Sequence, residues 1–231
     1  MNEKVIKMVN EARWMDGQQV RNRLEDITYN PMHSQEEFVM RMMRENSQTE
    51  YGLSHNFKNI RTLDDFKRYI PLTTYADYTD YIKRIAAGER NILTAYLTEH
   101  ISIWDGFRGL PQSRWSMQAS YDYSFCSGFY IAGSNVHFVF MGISTPEGTF
   151  STTLNLDDPQ TVLIPDSVFY EFRPKETNSY LTLLTMDQLE IGRSYELVVT
   201  TFSGLYRYKT GKTITVVGRY HDTPTVIIDK E

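Results

Sequence analysis

The residue types best suited to chemistry cluster near the C-terminal end, in ELVVTTFSGLYRYKTGKTITVVGRYHDTPTVII, residues 196–228. Arg207 and Lys209 stand among Tyr206 and Tyr208, between Ser203-Gly204 and Thr210-Gly211-Lys212. Cations flanked by aromatic rings beside a tight turn can form a surface that stacks on a base and pairs with a phosphate. The plain alternative is an ordinary antiparallel sheet with an amphipathic face, because short motifs also match by chance. Other chemistries have less behind them. His33, His55, His100, His137 and His221 are scattered, with no HExxH and no metal-ligand spacing. Cys126 is the single cysteine, which excludes an internal disulfide framework and a cysteine-based zinc site. A triad pairing Cys126 with one of the histidines has no local signature to support it. There is no GxGxxG and no Walker loop.

A sheet must position this cluster. Leu197 to Phe202 form an apolar, β-branched run that Ser203-Gly204 breaks. Leu205 to Tyr208 read as a short second run. Thr210-Gly211-Lys212 then turns the chain, and Thr213 to Val217 form a third. The N-terminal part reads as helical. Val5, Met8, Val9 and Ala12 recur at helical spacing, Met15-Asp16-Gly17 breaks the pattern, and Pro31 ends the segment. Ser34 with Glu37 three residues on predicts a capping box that opens a helix through Phe38, Val39, Met42 and Met43 to about Asn46. Its methionines read as core filler. Tyr51-Gly52-Leu53 begins a loop. Thr62 precedes a short helix with an acidic first turn, Asp64 and Asp65, stopped by Pro71. Thr74 caps a further helix that Gly88 terminates.

Composition narrows the class. The chain has 231 residues, room for one large domain or two small ones. At 41% hydrophobic and 23% charged residues it has ordinary globular usage, which excludes wholesale disorder. Sixteen tyrosines and twelve phenylalanines promise a substantial core and some aromatic surface. A net charge of −5 argues against non-specific nucleic-acid binding. No apolar run approaches the ~18 residues of a membrane-spanning helix. The polar start MNEKVIKMVNEARW has no signal-peptide core, so the expected location is cytoplasmic.

Two long blocks carry a resemblance. The first is YGLSHNFKNIRTLDDFKRYIPLTTYADYTDYIKRIAAGERNILT. The second joins VLIPDSVFYEFRP to LTMDQLEIGRSYELVVTTFSGLYRYKTGKTITVVGRYHDTPTV. In order, spacing and wording they resemble the GH-three (auxin-responsive promoter) family of acyl acid–amido synthetases, within the adenylate-forming superfamily. The resemblance covers about residues 45–100 and 147–228. It implies an ATP- and Mg2+-dependent ligase that adenylates a small carboxylic acid and then forms an amide with an amino acid.

The resemblance also implies three nucleotide motifs. The first is a Ser/Thr/Gly/Lys-rich phosphate loop after a strand, where small residues let backbone N–H groups approach phosphate and lysine adds charge. The matching stretch is Ser102 to Gln112. Gly106, Gly109 and Pro111 keep its frame, but Trp104, Asp105, Phe107 and Arg108 replace hydroxyls, and Leu110 and Gln112 replace lysines. The second motif brings a carboxylate to the magnesium and nucleotide. Here Glu147, Gly148 and Phe150 match, with Pro146 replacing a small hydroxyl residue. Glu147 offers the oxygen a hard cation prefers; otherwise it is an exposed residue in a Pro-Glu-Gly turn. The third motif ends in an aspartate that pairs with the ribose hydroxyls. Gly204 to Tyr208 and Gly211 agree, but Lys212 stands at the aspartate position. A carboxylate accepts hydrogen bonds from a diol, whereas an ammonium only donates. Tyr206 and Arg207 are the nucleotide contacts this motif implies. Glu171 also matches, either as a structural residue or near an acyl pocket.

The resulting expectation is an α/β fold. N-terminal helices pack on a mixed β-sheet, as a truncated remnant of the adenylate-forming large domain without the C-terminal lid. Residues 1–231 form one shortened domain. Within it, 1–95 are helical, 96–146 hold the degenerate phosphate loop and an unassigned segment, and 147–231 form a β-rich nucleotide part. The candidate nucleotide residues are Gly106, Gly109, Glu147, Gly148, Tyr206, Arg207 and Lys212, with Glu147 also the metal ligand. The expected activity is an impaired amido synthetase. The alternative is a catalytically inactive remnant, or gene fragment, that binds a nucleotide or a protein partner. Exposed sheet edges left by a missing middle would invite such pairing. Neither nucleic acid nor membrane is an expected partner.

Overall fold

The structure, a computed structural model, describes residues 18–103, 109–113, 142–154 and 160–229. Helix α1 covers residues 18–28, followed by α2 (Pro31–Glu45), α3 (Glu50–Ser54), α4 (Leu63–Tyr69) and α5 (Tyr75–Ala86). The strands are β1 (Thr98–Ile103), β2 (Gly109–Ser113), β3 (Ser144–Thr145), β4 (Gly148–Thr149), β5 (Ser151–Thr153), β6 (Thr161–Leu163), β7 (Val168–Pro174), β8 (Ser194–Thr201), β9 (Tyr208–Tyr220) and β10 (Thr223–Ile228). Six of them form the main sheet in the order β5-β6-β10-β9-β8-β7. Every described ladder in it is antiparallel. Among the described residues, the parallel component of the expected mixed sheet reduces to one isolated bridge, Thr73 to Tyr208.

Local chemistry accounts for the helix ends. Thr62 accepts from the Asp65 N–H while Asp65 accepts from the Arg61 and Thr62 N–H groups, and α4 starts there. The same box starts α5, with the Thr74 N–H donating to Asp77 at 2.7 Å. Gly88 then takes φ +96°, which stops the helix. Helix α2 corrects the expected start. Pro31 is its first residue, where a missing N–H costs nothing, and the Asn30 side chain caps it by accepting from the His33 N–H. The Ser34–Glu37 box is not used. The helix ends at Asn46, as the periodicity predicts. Tyr51-Gly52-Leu53 is a turn of α3 and not a loop, because Thr49 caps it through the Gly52 N–H.

The core lies between the helices and the sheet. Phe38, Val39, Met42 and Met43 of α2 are buried together with Phe169, Tyr170 and Phe172 of β7. Each such large apolar side chain contributes roughly 1.5–3 kcal/mol on full burial. A polar staple fixes the register of helix on strand. Gln35 donates to the Pro165 and Val168 carbonyls, and its amide oxygen accepts from the Tyr170 N–H at 2.8 Å. A second, smaller cluster packs α1 on the sheet through Leu24, Val162 and Ile164. The Asp222 N–H and the Thr223 hydroxyl both donate to the Thr28 carbonyl, which pins α1 to the β9–β10 turn.

Strand β9 overturns the expected turn at Thr210-Gly211-Lys212. The strand runs through it as a bulge, because Lys209 pairs with Val198 while Thr213 already pairs with Glu196. Gly211 at φ +72° supplies the left-handed residue this needs. Thr210 closes the bulge, donating to the Leu197 carbonyl and accepting from the Lys212 N–H. Leu205 to Arg207 are likewise not a strand but the connection from β8 into β9.

Two outcomes follow for stability. Gln35→Leu keeps the volume but leaves three buried backbone groups unsatisfied, at about 1–3 kcal/mol each; a drop in melting temperature of several degrees is expected, against almost none for the exposed change Glu36→Ala. The Asp77 carboxyl lies below its ordinary value, mainly because the Thr74 N–H bonds its charged form. Its stabilisation is therefore present above the unfolded-state value and is lost as the pH falls through the lowered one. Asp77→Ala should melt earlier than the parent at pH 7, and the gap should close as the pH falls below 3.8. A gap that stays constant with pH would remove the charged cap from the explanation.

Candidate functional site

Strands β3 and β4 form a minimal hairpin with Pro146-Glu147 at its tip. Ser144 and Thr149 hydroxyls lie 3.2 Å apart across it. Ser167 holds its second strand by donating to the Thr149 carbonyl at 2.9 Å. This tip does not project into solvent. Glu147 is 8% exposed, and its Oε2 atom is buried without a hydrogen-bond donor. The exposed Pro-Glu-Gly turn that the sequence left open is therefore excluded. The cation beside it is Lys212, whose Nζ stands 4.0 Å from that oxygen. Lys212 projects from the β9 bulge, so a strand irregularity delivers the ammonium to the hairpin tip.

Thr201 also belongs to this neighbourhood. A Cβ built on Gly148 would lie 3.4 Å from Val168 Cγ2 and 3.9 Å from Thr201 Cγ2, which places Thr201 against the tip. The Thr201 hydroxyl is buried without a partner, and so is that of Ser203 in the turn that follows. Neither was singled out from sequence. The available signal was a run of small hydroxyl residues, Thr200-Thr201 and Ser203, just before Gly204.

Tyr206 and Arg207 are not at a surface, contrary to the cationic and aromatic face expected there. Tyr206 is fully buried, stacked on Tyr51 at 4.8 Å, and its hydroxyl donates to the Leu93 carbonyl. Burial raises the hydroxyl pKa values of Tyr51, Tyr78 and Tyr206 well above the ordinary range, so all three stay neutral. Arg207 is bidentate to Glu171 at 2.7 and 2.8 Å, and it also donates to the Lys67 and Ile70 carbonyls. Every guanidinium nitrogen is thereby engaged. Of the two readings left open for Glu171, the structural one accounts for this contact. Lys209 instead lies over the Tyr180 ring at 4.8 Å.

Gly109 opens β2, where its N–H donates to the Tyr75 hydroxyl on α5. Gly106, with Trp104, Asp105, Phe107 and Arg108, lies outside the described residues. Of the sequence candidates, the structure thus brings together Glu147, Gly148 and Lys212. Magnesium fits this arrangement poorly. It demands octahedral oxygen ligands at about 2.0–2.1 Å. Proteins usually hold it through one or two carboxylates, with waters and substrate phosphates completing the shell, and here the carboxylate at the tip faces an ammonium.

Two domains of one sequence family match this chain. The GH3 family N-terminal domain matches residues 20–102, and the GH3 family central domain matches residues 161–229. The chain belongs to the GH3 family. Among curated relatives, this GH3 chain is 34% identical over 109 residues to a probable indole-3-acetic acid-amido synthetase, GH3.11, of Oryza sativa subsp. japonica. It is 32% identical over 90 residues to the 4-substituted benzoates-glutamate ligase GH3.12 of Arabidopsis thaliana. These alignments cover 41% and 36% of this chain, and 18% and 16% of the relatives. The solved structure of the GH3.15 acyl acid amido synthetase superposes on 89% of this chain and 69% of its own length. Its TM-score is 0.76 at 14% identity, which establishes the shared fold. Among the described residues, no helix is long and apolar enough to cross a membrane.

The buried pair gives a test of which residues hold this GH3 chain together. Arg207→Met should destabilise it by roughly 3–5 kcal/mol, because Glu171 is left as an uncompensated buried charge. Adding Glu171→Leu should recover much of that loss in denaturant titration. Equal loss in the single and double variants would show that the pair is not the cause.

Proposed function

We propose that this GH3 chain carries the nucleotide-facing part of an ATP-dependent acyl acid–amido synthetase in which adenylation is impaired. In such a reaction the acid's carboxylate oxygen attacks the α-phosphorus of ATP and pyrophosphate leaves. The amine of an amino acid then attacks the acyl carbon, AMP leaves, and an amide forms. Family membership and the shared fold support the reaction class. The relatives' names point to an aromatic or aryl-substituted small acid and an amino acid acceptor such as glutamate; the location in this reading is cytoplasmic.

The observation that carries the reading is the convergence of Glu147, Gly148 and Lys212, which come from two distant segments, at one buried tip. In this reading Lys212 donates to the nucleotide, while the motif that holds Gly106 and Gly109 frames its phosphates. Impairment follows from Lys212 itself. Exchanging an acceptor for a donor at the ribose forfeits a charge-assisted hydrogen bond, about 1.5–3 kcal/mol, or roughly ten- to a hundred-fold in affinity. A binding role without chemistry is the second reading, for a nucleotide or a protein partner. It is favoured by the same contact, since Glu147 already faces a cation within the chain.

The deciding experiment is calorimetric titration of the purified chain with ATP and Mg2+, beside Lys212→Asp. Weak binding by the parent and tightening by about tenfold or more in the variant are expected. If neither binds while both melt cooperatively, the nucleotide reading is wrong.

A further inference from the structure

We propose that Lys212 is the resident cation of this site. Its ammonium takes on Glu147 the place a divalent ion would need, so the site accepts a metal-free phosphate oxyanion. The exclusion of metal stands on the contact alone; the phosphate half rests on the nucleotide reading above.

Three observations carry it. First, Glu147 needs a counter-charge. Its side chain is 10% exposed, Oε2 receives no hydrogen bond, and a buried carboxylate without a partner is strongly disfavoured. Lys212 Nζ at 4.0 Å supplies that charge. Second, the placement is built. Gly211 at φ +72° and the Thr210 hydroxyl, bonded both to the Leu197 carbonyl and to the Lys212 N–H, fix the bulge from which Lys212 projects. A side chain on a regular strand would leave from a different register. Third, the ammonium is not consumed. At 4.0 Å it balances Glu147 electrostatically without a hydrogen bond to it, and its side chain is 27% exposed. Its three N–H donors stay available to an oxyanion.

The charge count then decides between ligands. Glu147 and Lys212 sum to zero. A divalent ion on Glu147 would raise the site to +2 with an ammonium a few ångströms away, where repulsion is strong in a partly desolvated setting. A phosphate oxygen entering beside Lys212 is attracted.

The test separates this inference from the nucleotide reading by titrating metal without nucleotide. Mn2+ binding is followed by electron paramagnetic resonance for the parent, Lys212→Asp and the near-isosteric Lys212→Met, each checked for a cooperative melt. The parent should take up no Mn2+ at millimolar concentration. Both variants should gain affinity by about tenfold or more, and adding Glu147→Gln to Lys212→Met should abolish the gain. Calorimetry then compares ATP with EDTA against ATP with Mg2+. The parent should bind ATP at least as tightly without metal, whereas Lys212→Asp should require it. Mn2+ binding by the parent that Glu147→Gln removes would overturn the inference, and so would variants that fold but gain no metal. If ATP fails to bind any form, only the nucleotide reading falls, and the Mn2+ series still decides whether Lys212 holds the site against metal.

Discussion

The buried ion pair between Arg207 and Glu171 joins three parts of the molecule that no single element spans. Glu171 comes from β7, Arg207 from the connection between β8 and β9, and the carbonyls of Lys67 and Ile70 from the end of α4. Taking two charges out of water is costly unless the geometry is good and the remaining donors are satisfied. Here both conditions hold, since the pair is bidentate and the third guanidinium nitrogen meets two helix-end carbonyls. Those carbonyls belong to the class that a helix terminus leaves unsatisfied, so one side chain answers two needs. Arg207 itself sits at φ +46°, a left-handed conformation that costs a non-glycine residue about 1–2 kcal/mol. The contacts it makes only in that conformation offset the strain.

Around this pair the aromatic core follows. Tyr206 cannot leave the interior while its neighbour is tied to Glu171. The Tyr206 N–H donates to the Tyr78 hydroxyl, Thr73 donates to the Tyr206 carbonyl, and the Tyr206 hydroxyl reaches Leu93. Gly204 lets the chain pass close to Leu93. A Cβ there would lie 2.6 Å from the Leu93 Cβ, and φ is +92°. The polypeptide between β8 and β9 is thus clamped on both sides of its turn. A clamped connection gives β9 a fixed starting register, and the bulge four residues later inherits that precision. This is how a core interaction controls where Lys212 sits. A site whose charged side chains project from a fixed bulge and a short hairpin is held more firmly than one carried on long loops.

How far the molecule was legible from its sequence depended on the reach of each signal. The helix starts at Thr62 and Thr74, the stop at Gly88 and the apolar face of α2 were read correctly, because each is decided by hydrogen bonds or packing within one or two turns. The family was legible for a different reason: long blocks in the right order are specific even where single motifs are not. The errors arose where two local signals competed. Pro31 reads equally well as the end of one helix or the first residue of the next, and Asn30 decided for the second. Gly211 reads as a turn or as a bulge, and pairing of both flanks with β8 decided for the bulge.

By itself, then, the sequence determined the helices α2, α4 and α5, the apolar run of β8, the residue types at each nucleotide motif and the GH3 membership. Tertiary structure alone decided that Tyr206 and Arg207 face inward, that Glu171 is Arg207's counter-ion, and that Lys212 stands against Glu147. Local spacing carries no information about contacts between distant segments. A Tyr-Arg-Tyr run looks the same on a surface as in a core, and only the fold brings a carboxylate to it. Lys212 likewise differs from a solvent-exposed lysine through one fact, the buried and unpartnered Oε2 of a residue far away in the chain.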